Sequence, residues 1–362
     1  MIFSKTYKKF FGCLFISIIA LSFSSCMKKE VKNEKIGILI KNETEPFWIG
    51  FRDSFLKAAN ENNYDIEIYA SDNDSATQID QLKTLLMNGV RGFVVTAATT
   101  DLTDQIAKIV NSQDAYVVFV NVVPTVSALK VGKNIYYSSS PETDAGAFQA
   151  DIFDSYIKKS SGKINGKNLN IVYFNGEFGH PAVLYRRTGF ITEMEKLGYK
   201  LNLTQINANW STESARGEMS MWLEKNNISN LDAIVSQNDD MALGAVDALL
   251  NGNYVDNPSK PASDTDGDGT ALAVPVFGID ATEAGRKSMQ NNQLYGTVLQ
   301  NIDLQTETAL EIISECFKNG TAIGYTTKNN IKGATAVTSE VPLTDASVLD
   351  QCFVVPFIPV TK

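Results

Sequence analysis

The strongest constraint on how this chain can fold is a rhythm of short apolar runs separated by stretches with helical spacing. "KIGILI" (35–40) is apolar at most positions. After a polar turn, Phe47, Phe51, Phe55 and Ala58 recur at helical intervals, and "DIEIYAS" (65–71) then alternates as a strand does. The cycle continues through "GFVVTA" (92–97), a helix over 102–112 and "AYVVFVN" (115–121). A second series runs through "LNIVYFNGE" (169–177), a helix over 182–197, "YKLNLTQIN" (199–207), a helix across Trp222, "DAIVSQN" (232–238), a helix over 240–250 and "VPVFGID" (274–280). Strands alternating with helices of about a dozen residues predict right-handed βαβ units and parallel sheets. Between the two series lies "NIYYSSSPETDAG" (134–146), a polar stretch suited to a crossing. The fold class is α/β, with two doubly wound parallel-sheet lobes.

The first 25 residues carry Lys5, Lys8 and Lys9, no acid, an uncharged run from Phe10 to Phe23 and then Ser24 and Ser25, the layout of a cleaved export signal. The run is shorter than the ~20 residues a spanning helix needs. Cys26 follows the small pair as it does at a bacterial lipoprotein attachment site, a plain secreted protein being the alternative. Residues 26–34 then form a short polar tether. Loss of the signal takes three lysines and no acid, so the formal charge of -9 becomes -12, and an acidic body argues against nucleic acid and against a membrane held by anything but the lipid. The remaining cysteines, Cys316 and Cys352, either pair as an exported disulfide or stay as buried thiols. A body of roughly 330 residues exceeds what one core usually serves, which agrees with two domains.

Ligands of such sheets sit at the carboxyl ends of the strands. There the chain places Glu45 and Phe47, Asn121, His180 and Arg186, Trp210, Asn238 with Asp239, Asp280, and Gln300 with Asn301. The inventory holds carboxylates, amides, a guanidinium and large aromatics. It suits a polyol, because each hydroxyl both donates and accepts, and the apolar face of a sugar ring asks for a flat apolar partner on each side. Phe47 from one lobe and Trp210 from the other supply such a sandwich. The bland alternative is that the aromatics are core and the strand-end Asn and Asp cap helices. Trp222, inside "SARGEMSMWLEK", is assigned to the core. His180 is the only histidine, and no nucleophile elbow, metal-binding histidine pair, P-loop or dinucleotide glycine motif accompanies it.

"GEFGHP" with Arg186, "QNDDMALGAVDALL", "VPVFGIDA", "YGTVLQN" and "VVFVN" resemble, in order and spacing, segments of the bacterial periplasmic galactose/glucose-binding proteins, over nearly all of the mature chain. The resemblance implies two type I periplasmic-binding lobes joined by three crossings, dividing the chain into 35–140 plus about 301–338 and 141–300 plus about 339–362. It implies a monomeric, non-enzymatic receptor that binds a galactose- or glucose-type sugar and delivers it to an ABC permease, with a chemoreceptor as a second partner. Sugar contacts are implied at Phe47, Asn121, His180, Arg186, Trp210, Asn238 and Asp280. Three positions depart from the family: Glu45 and Ala182 each replace an Asp, and Gln300 replaces an Asn. Those departures leave open a pentose, a nucleoside, a glycoside or a signalling furanose as ligand. A glycosidase using Glu45 and Asp280 is the enzymatic alternative.

No cofactor is required by this reading. "DTDGDGTALAVP" (264–275) nevertheless sets Asp264, Asp266, Asp268 and Gly269 at positions 1, 3, 5 and 6 of an EF-hand-like loop, with Pro275 in place of the closing Glu, and so offers calcium as an expectation to test. The family's own calcium loop falls near 161–170, where the chain has no carboxylate.

Overall fold

A computed structural model describes residues 34–160, 164, 166–260, 263–265 and 267–361. The signal, Cys26, most of the tether and Asp266 lie outside the described residues.

The first series forms β1 (Ile36–Ile40), α1 (Pro46–Asn62), β2 (Ile66–Ala70), α2 (Ser75–Met87), β3 (Gly92–Val95), α3 (Leu102–Asn111), β4 (Tyr116–Val120), α4 (Val126–Lys130) and β5 (Ile135–Ser139). The second forms α5 (Glu142–Lys159), β6 (Asn168–Asn175), α6 (Pro181–Lys196), β7 (Lys200–Asn207), α7 (Thr212–Lys225), β8 (Ala233–Ser236), α8 (Asp239–Asn251), β9 (Val276–Phe277), α9 (Glu283–Gln290) and β10 (Gly296–Leu299). Then come α10 (Ile302–Asn319), β11 (Cys352–Val354) and β12 (Ile358–Thr361). One sheet runs β11-β5-β4-β3-β1-β2 and the other β12-β10-β9-β8-β6-β7. All pairings are parallel except that of β12 with β10. Two lobes with the same winding result.

The central strands are apolar because helices cover both faces of each sheet. Every residue of β1 and β3 is buried. Helix α1 starts where Pro46 tolerates the missing amide bond and stops at Asn63, which takes a left-handed φ of 55°. Between these ends Phe51 and Phe55 reach the first-lobe core with Phe93 and Phe119, each fully buried and each contributing about 2–3 kcal/mol of apolar transfer. The second lobe has its own aromatic cluster of Phe153, Tyr156, Phe277 and Tyr295.

Two expectations are corrected here. "NIYYSSSPETDAG" is no mere crossing: Ile135–Ser139 within it is β5, buried beside β4 despite the serines that end it. The last crossing does not fall at 338/339. Phe353 pairs with Ser138 of β5, and Thr297 of β10 pairs with Val360, so the chain leaves the first sheet after Val354. The three crossings are therefore Ser140–Pro141, Gln300–Asn301 and Val355–Phe357.

Candidate functional site

Strand order reverses around β1, flanked by β2 and β3, and around β6, flanked by β7 and β8. Loops leave such a point in opposite directions and open a crevice. Here the crevices of the two sheets meet in one cleft of about 910 Å³, within the size range of small-molecule sites. Glu45, Phe47, Asn121, His180, Ala182, Arg186, Trp210, Asn238, Asp280 and Gln300 all line it.

Trp210 is set by its backbone and by what lies under it. Asn209 and Trp210 take left-handed φ values of 53° and 62°, a region that costs a bulky residue about 1–2 kcal/mol. The Trp210 carbonyl accepts the Asn238 amide at 3.3 Å, while Asn238 Oδ1 accepts the Met241 N–H at 2.9 Å and so caps α8. The indole lies on Gly176, where an added Cβ would overlap the ring. His180 meets it edge-on, with centroids 5.5 Å apart, and the Arg186 guanidinium carbon is 5.7 Å from its centre. The indole thus has the His180 ring perpendicular to it and the Arg186 guanidinium over its ring.

Arg186 enters this space from α6 with only 5% of its surface exposed. Its Nε donates to Glu142 Oε2 at 2.6 Å, Nη1 to the Gln237 carbonyl at 2.5 Å and Nη2 to Gln300 Oε1 at 3.2 Å. Asp280 is 3.6 Å from Nη1, beyond hydrogen-bond reach. Burial pushes the Asp280 carboxyl well above the usual range, with Arg186 pulling it back and Asp239, Asp240 and Glu142 adding to the rise. Its backbone takes the unusual φ of 113°. The Gln300 Nε2 is buried in the cleft with no hydrogen-bond partner among the described residues. Such groups are costly until a ligand satisfies them.

His180 caps α6: its Nδ1 accepts the Ala182 N–H at 3.3 Å. Since Nδ1 accepts, Nε2 carries the proton and can donate. Burial, then the positive charges of Lys41 and Arg186, lower its pKa to about 3, so the imidazole is neutral. Burial likewise lowers the pKa of Lys41 across the cleft.

The periplasmic binding protein domain profile matches residues 36–321, and the two wound lobes carry the same architecture. The chain belongs to the periplasmic binding proteins. It is a type I sugar-binding protein of the ABC-transporter systems, whose members are solute-binding proteins acting in the periplasm. It is 24% identical over 298 residues to the D-galactose/methyl-galactoside binding periplasmic protein MglB of Haemophilus influenzae, covering 81% of this chain and 84% of that one. It is 22% identical to the ribose import binding protein RbsB of Salmonella typhimurium, covering 84% and 91%. Among solved structures, a Bacillus halodurans solute-binding protein with bound myo-inositol superposes with a TM-score of 0.68 at 21% identity, covering 91% and 94%. A periplasmic solute-binding protein from Actinobacillus succinogenes with bound D-allose gives 0.70 at 18% identity, covering 91% and 97%.

Not every strand-end residue of this binding protein faces the cleft. Asp239 points inward, accepting from Thr297 Oγ1 at 2.7 Å and from the Thr282 N–H at 2.7 Å, and burial raises its pKa to about 7. Asn301 caps α10. Lys41, Glu142, Glu177 and Asp240 line the cleft and were not picked out by sequence. Asp240 stands next to a predicted strand end, so strict use of that rule finds it. Glu142 opens a helix after a crossing and carries no such signal.

Two acids of the 264–269 loop, Asp264 and Asp268, have other work. Asp264 accepts the Gly267 and Gly269 N–H groups at 2.7 and 3.0 Å, and Asp268 accepts the Tyr156 hydroxyl at 2.6 Å. Among the described residues no three acids, histidines or cysteines gather as a metal site. Cys316 and Cys352 are free and buried, and burial raises both thiols to about 12, so the disulfide alternative falls. Trp222 is partly buried against the second-lobe core.

Proposed function

We propose that this protein closes its lobes on one galactose- or glucose-type monosaccharide and presents it to the membrane subunits of an ABC importer. Cys26 anchors it by lipid, and a chemoreceptor is a second candidate partner. The observation that carries the reading is the Trp210 indole with a neutral His180 donor beside it and the Arg186 guanidinium over its ring, with Phe47 also lining the cleft. A pyranose stacks its C–H face on the indole while its hydroxyls supply donors to Asp280 and acceptors to Gln300 Nε2. The relative that binds D-galactose and methyl-galactoside supports this choice.

A second reading, another polyol such as a pentose, a nucleoside, a glycoside or a furanose, is favoured by Ala182. Its methyl group leaves the cleft without a carboxylate at that position, and relatives and structural neighbours are described with ribose, D-allose and myo-inositol. Calorimetric titration of the mature protein with galactose, glucose, methyl galactosides, ribose, xylose, myo-inositol and adenosine decides. The first reading expects the hexoses to bind most tightly, near ~1 µM or about -8 kcal/mol. Tighter binding of a pentose, inositol or nucleoside replaces it with the second. An aryl glycoside should be left intact.

A further inference from the structure

Arg186 touches one residue at each of the three places where the chain passes between lobes. Glu142, just after the first crossing, holds Nε at 2.6 Å. Gln300, on the second, accepts from Nη2 at 3.2 Å. Phe357, on the third, has its ring centre 6.0 Å from the guanidinium carbon. We propose that Glu142 is the positioning residue for Arg186, and that through it the guanidinium follows the state of the hinge as well as meeting the ligand. This rests on the cleft being the sugar site.

The covalent frame around Glu142 supports the link. Its backbone N–H donates to Glu340 Oε1 at 2.8 Å, and the Thr143 N–H and hydroxyl donate to Glu340 Oε2 at 3.0 and 2.6 Å. Glu340 precedes Leu343, which is packed in the first-lobe core, whereas α5 packs in the second lobe. The start of α5 is thus capped from the other lobe. The next residue of that segment, Val341, donates its N–H to the hydroxyl of Tyr185, the neighbour of Arg186. Helices α5 and α6 also meet backbone to backbone: a Cβ on Gly146 would overlap the Arg186 carbonyl, and one on Gly189 would overlap that of Thr143. With no side chain between them, a shift of the capped end of α5 carries α6 with it. Asp280 pairs with Nη1 only at 3.6 Å, so Glu142 is the carboxylate hydrogen-bonded to the guanidinium.

Arginine-¹⁵N spectra of the ligand-free mature protein, assigned with Arg186→Lys, test this without any sugar. Wild type should show a protected Arg186 Nε–H resonance. Glu142→Ala should lose it, Glu142→Asp should lose it because the shorter side chain falls short, and Glu142→Gln should recover it through the amide oxygen. The best ligand of the wild-type panel should bind Glu142→Ala and Glu142→Asp at least roughly tenfold more weakly, with much of the loss recovered in Glu142→Gln. A protected resonance and unchanged affinity in Glu142→Ala and Glu142→Asp overturn the proposal, as does failure of Glu142→Gln to recover either signal. If wild type binds no sugar, the functional reading fails while the spectra still decide the role of Glu142.

Discussion

Trp210 rests its indole directly on Gly176, so the position of the ring depends on a missing side chain. Gly176 also fixes the loop by donating its N–H to Gln237 Oε1 at 2.9 Å. Gly176→Ala should therefore push the ring out of place and weaken sugar binding at least about tenfold, near 1.4 kcal/mol. In a Trp210→Ala background the same change should add little, since the two residues share one interaction. Additive losses in titration calorimetry would contradict this.

Asn238 does two jobs with one amide, capping α8 through its oxygen and bonding the Trp210 carbonyl through its nitrogen. Asn238→Ala should cost about 1 kcal/mol of stability from the lost cap, together with binding. Asn238→Asp keeps the cap acceptor and gives up only the donor, so it should melt near wild type and still bind less well. Thermal melts paired with titrations separate the two, and an Asp variant binding like wild type would remove the platform role.

His180 is the only histidine in the chain, so its imidazole ¹⁵N signals need no assignment. They should show the Nε2–H tautomer and stay unchanged from pH 8 to pH 4.5, because the folded pKa is lowered to about 3. The unfolded chain takes a proton below about 6.5 and the folded one does not, so this residue subtracts stability as pH falls through that value. A titration midpoint near 6.5 in the folded protein would refute the neutral donor.

Glu340 works in the opposite sense. Burial first, then the charge of Glu142, raises its pKa from 4.5 to about 7. Between those pH values the folded chain holds a proton that the unfolded chain has released, so its contribution to stability falls as pH rises through that window and levels off above it. The difference in unfolding free energy between wild type and Glu340→Gln should shrink from pH 4.5 to 7. A difference constant with pH would show that Glu340 has the same pKa folded and unfolded.

Trp222 and Trp210 should part company. Trp222 packs against the second-lobe core, and because it is only partly buried its removal should cost about 2–3 kcal/mol of stability, below the range for a fully buried tryptophan. Binding should survive. Equal effects of the two alanine variants on binding would show that Trp222 also belongs to the site.

Much of this was written into periodicity. Strand and helix alternation gave both lobes, and the rule that sites gather at strand ends gathered Glu45, Phe47, Asn121, His180, Arg186, Trp210, Asn238, Asp280 and Gln300 around one cleft. Pattern failed where position is decided by partners far along the chain. β5 ends in serines and is a strand because β4 and β11 flank it. Cys352–Val354 and Ile358–Thr361 are too short to declare which sheet each joins, which misplaced the last crossing. Glu142 and Glu340 are 198 residues apart and look like ordinary surface acids. The left-handed turns at Trp210 and Asp280 oppose local preference and are imposed by the surrounding fold.

The placement of β11 and β12 bears on how the molecule is made. Each is the outer strand of its sheet, and both lie within Cys352–Thr361. Until that short stretch is in place, β5 and β10 each present an open edge. The two lobes thus wait on the same ten residues and reach completion together, not in the order of their synthesis.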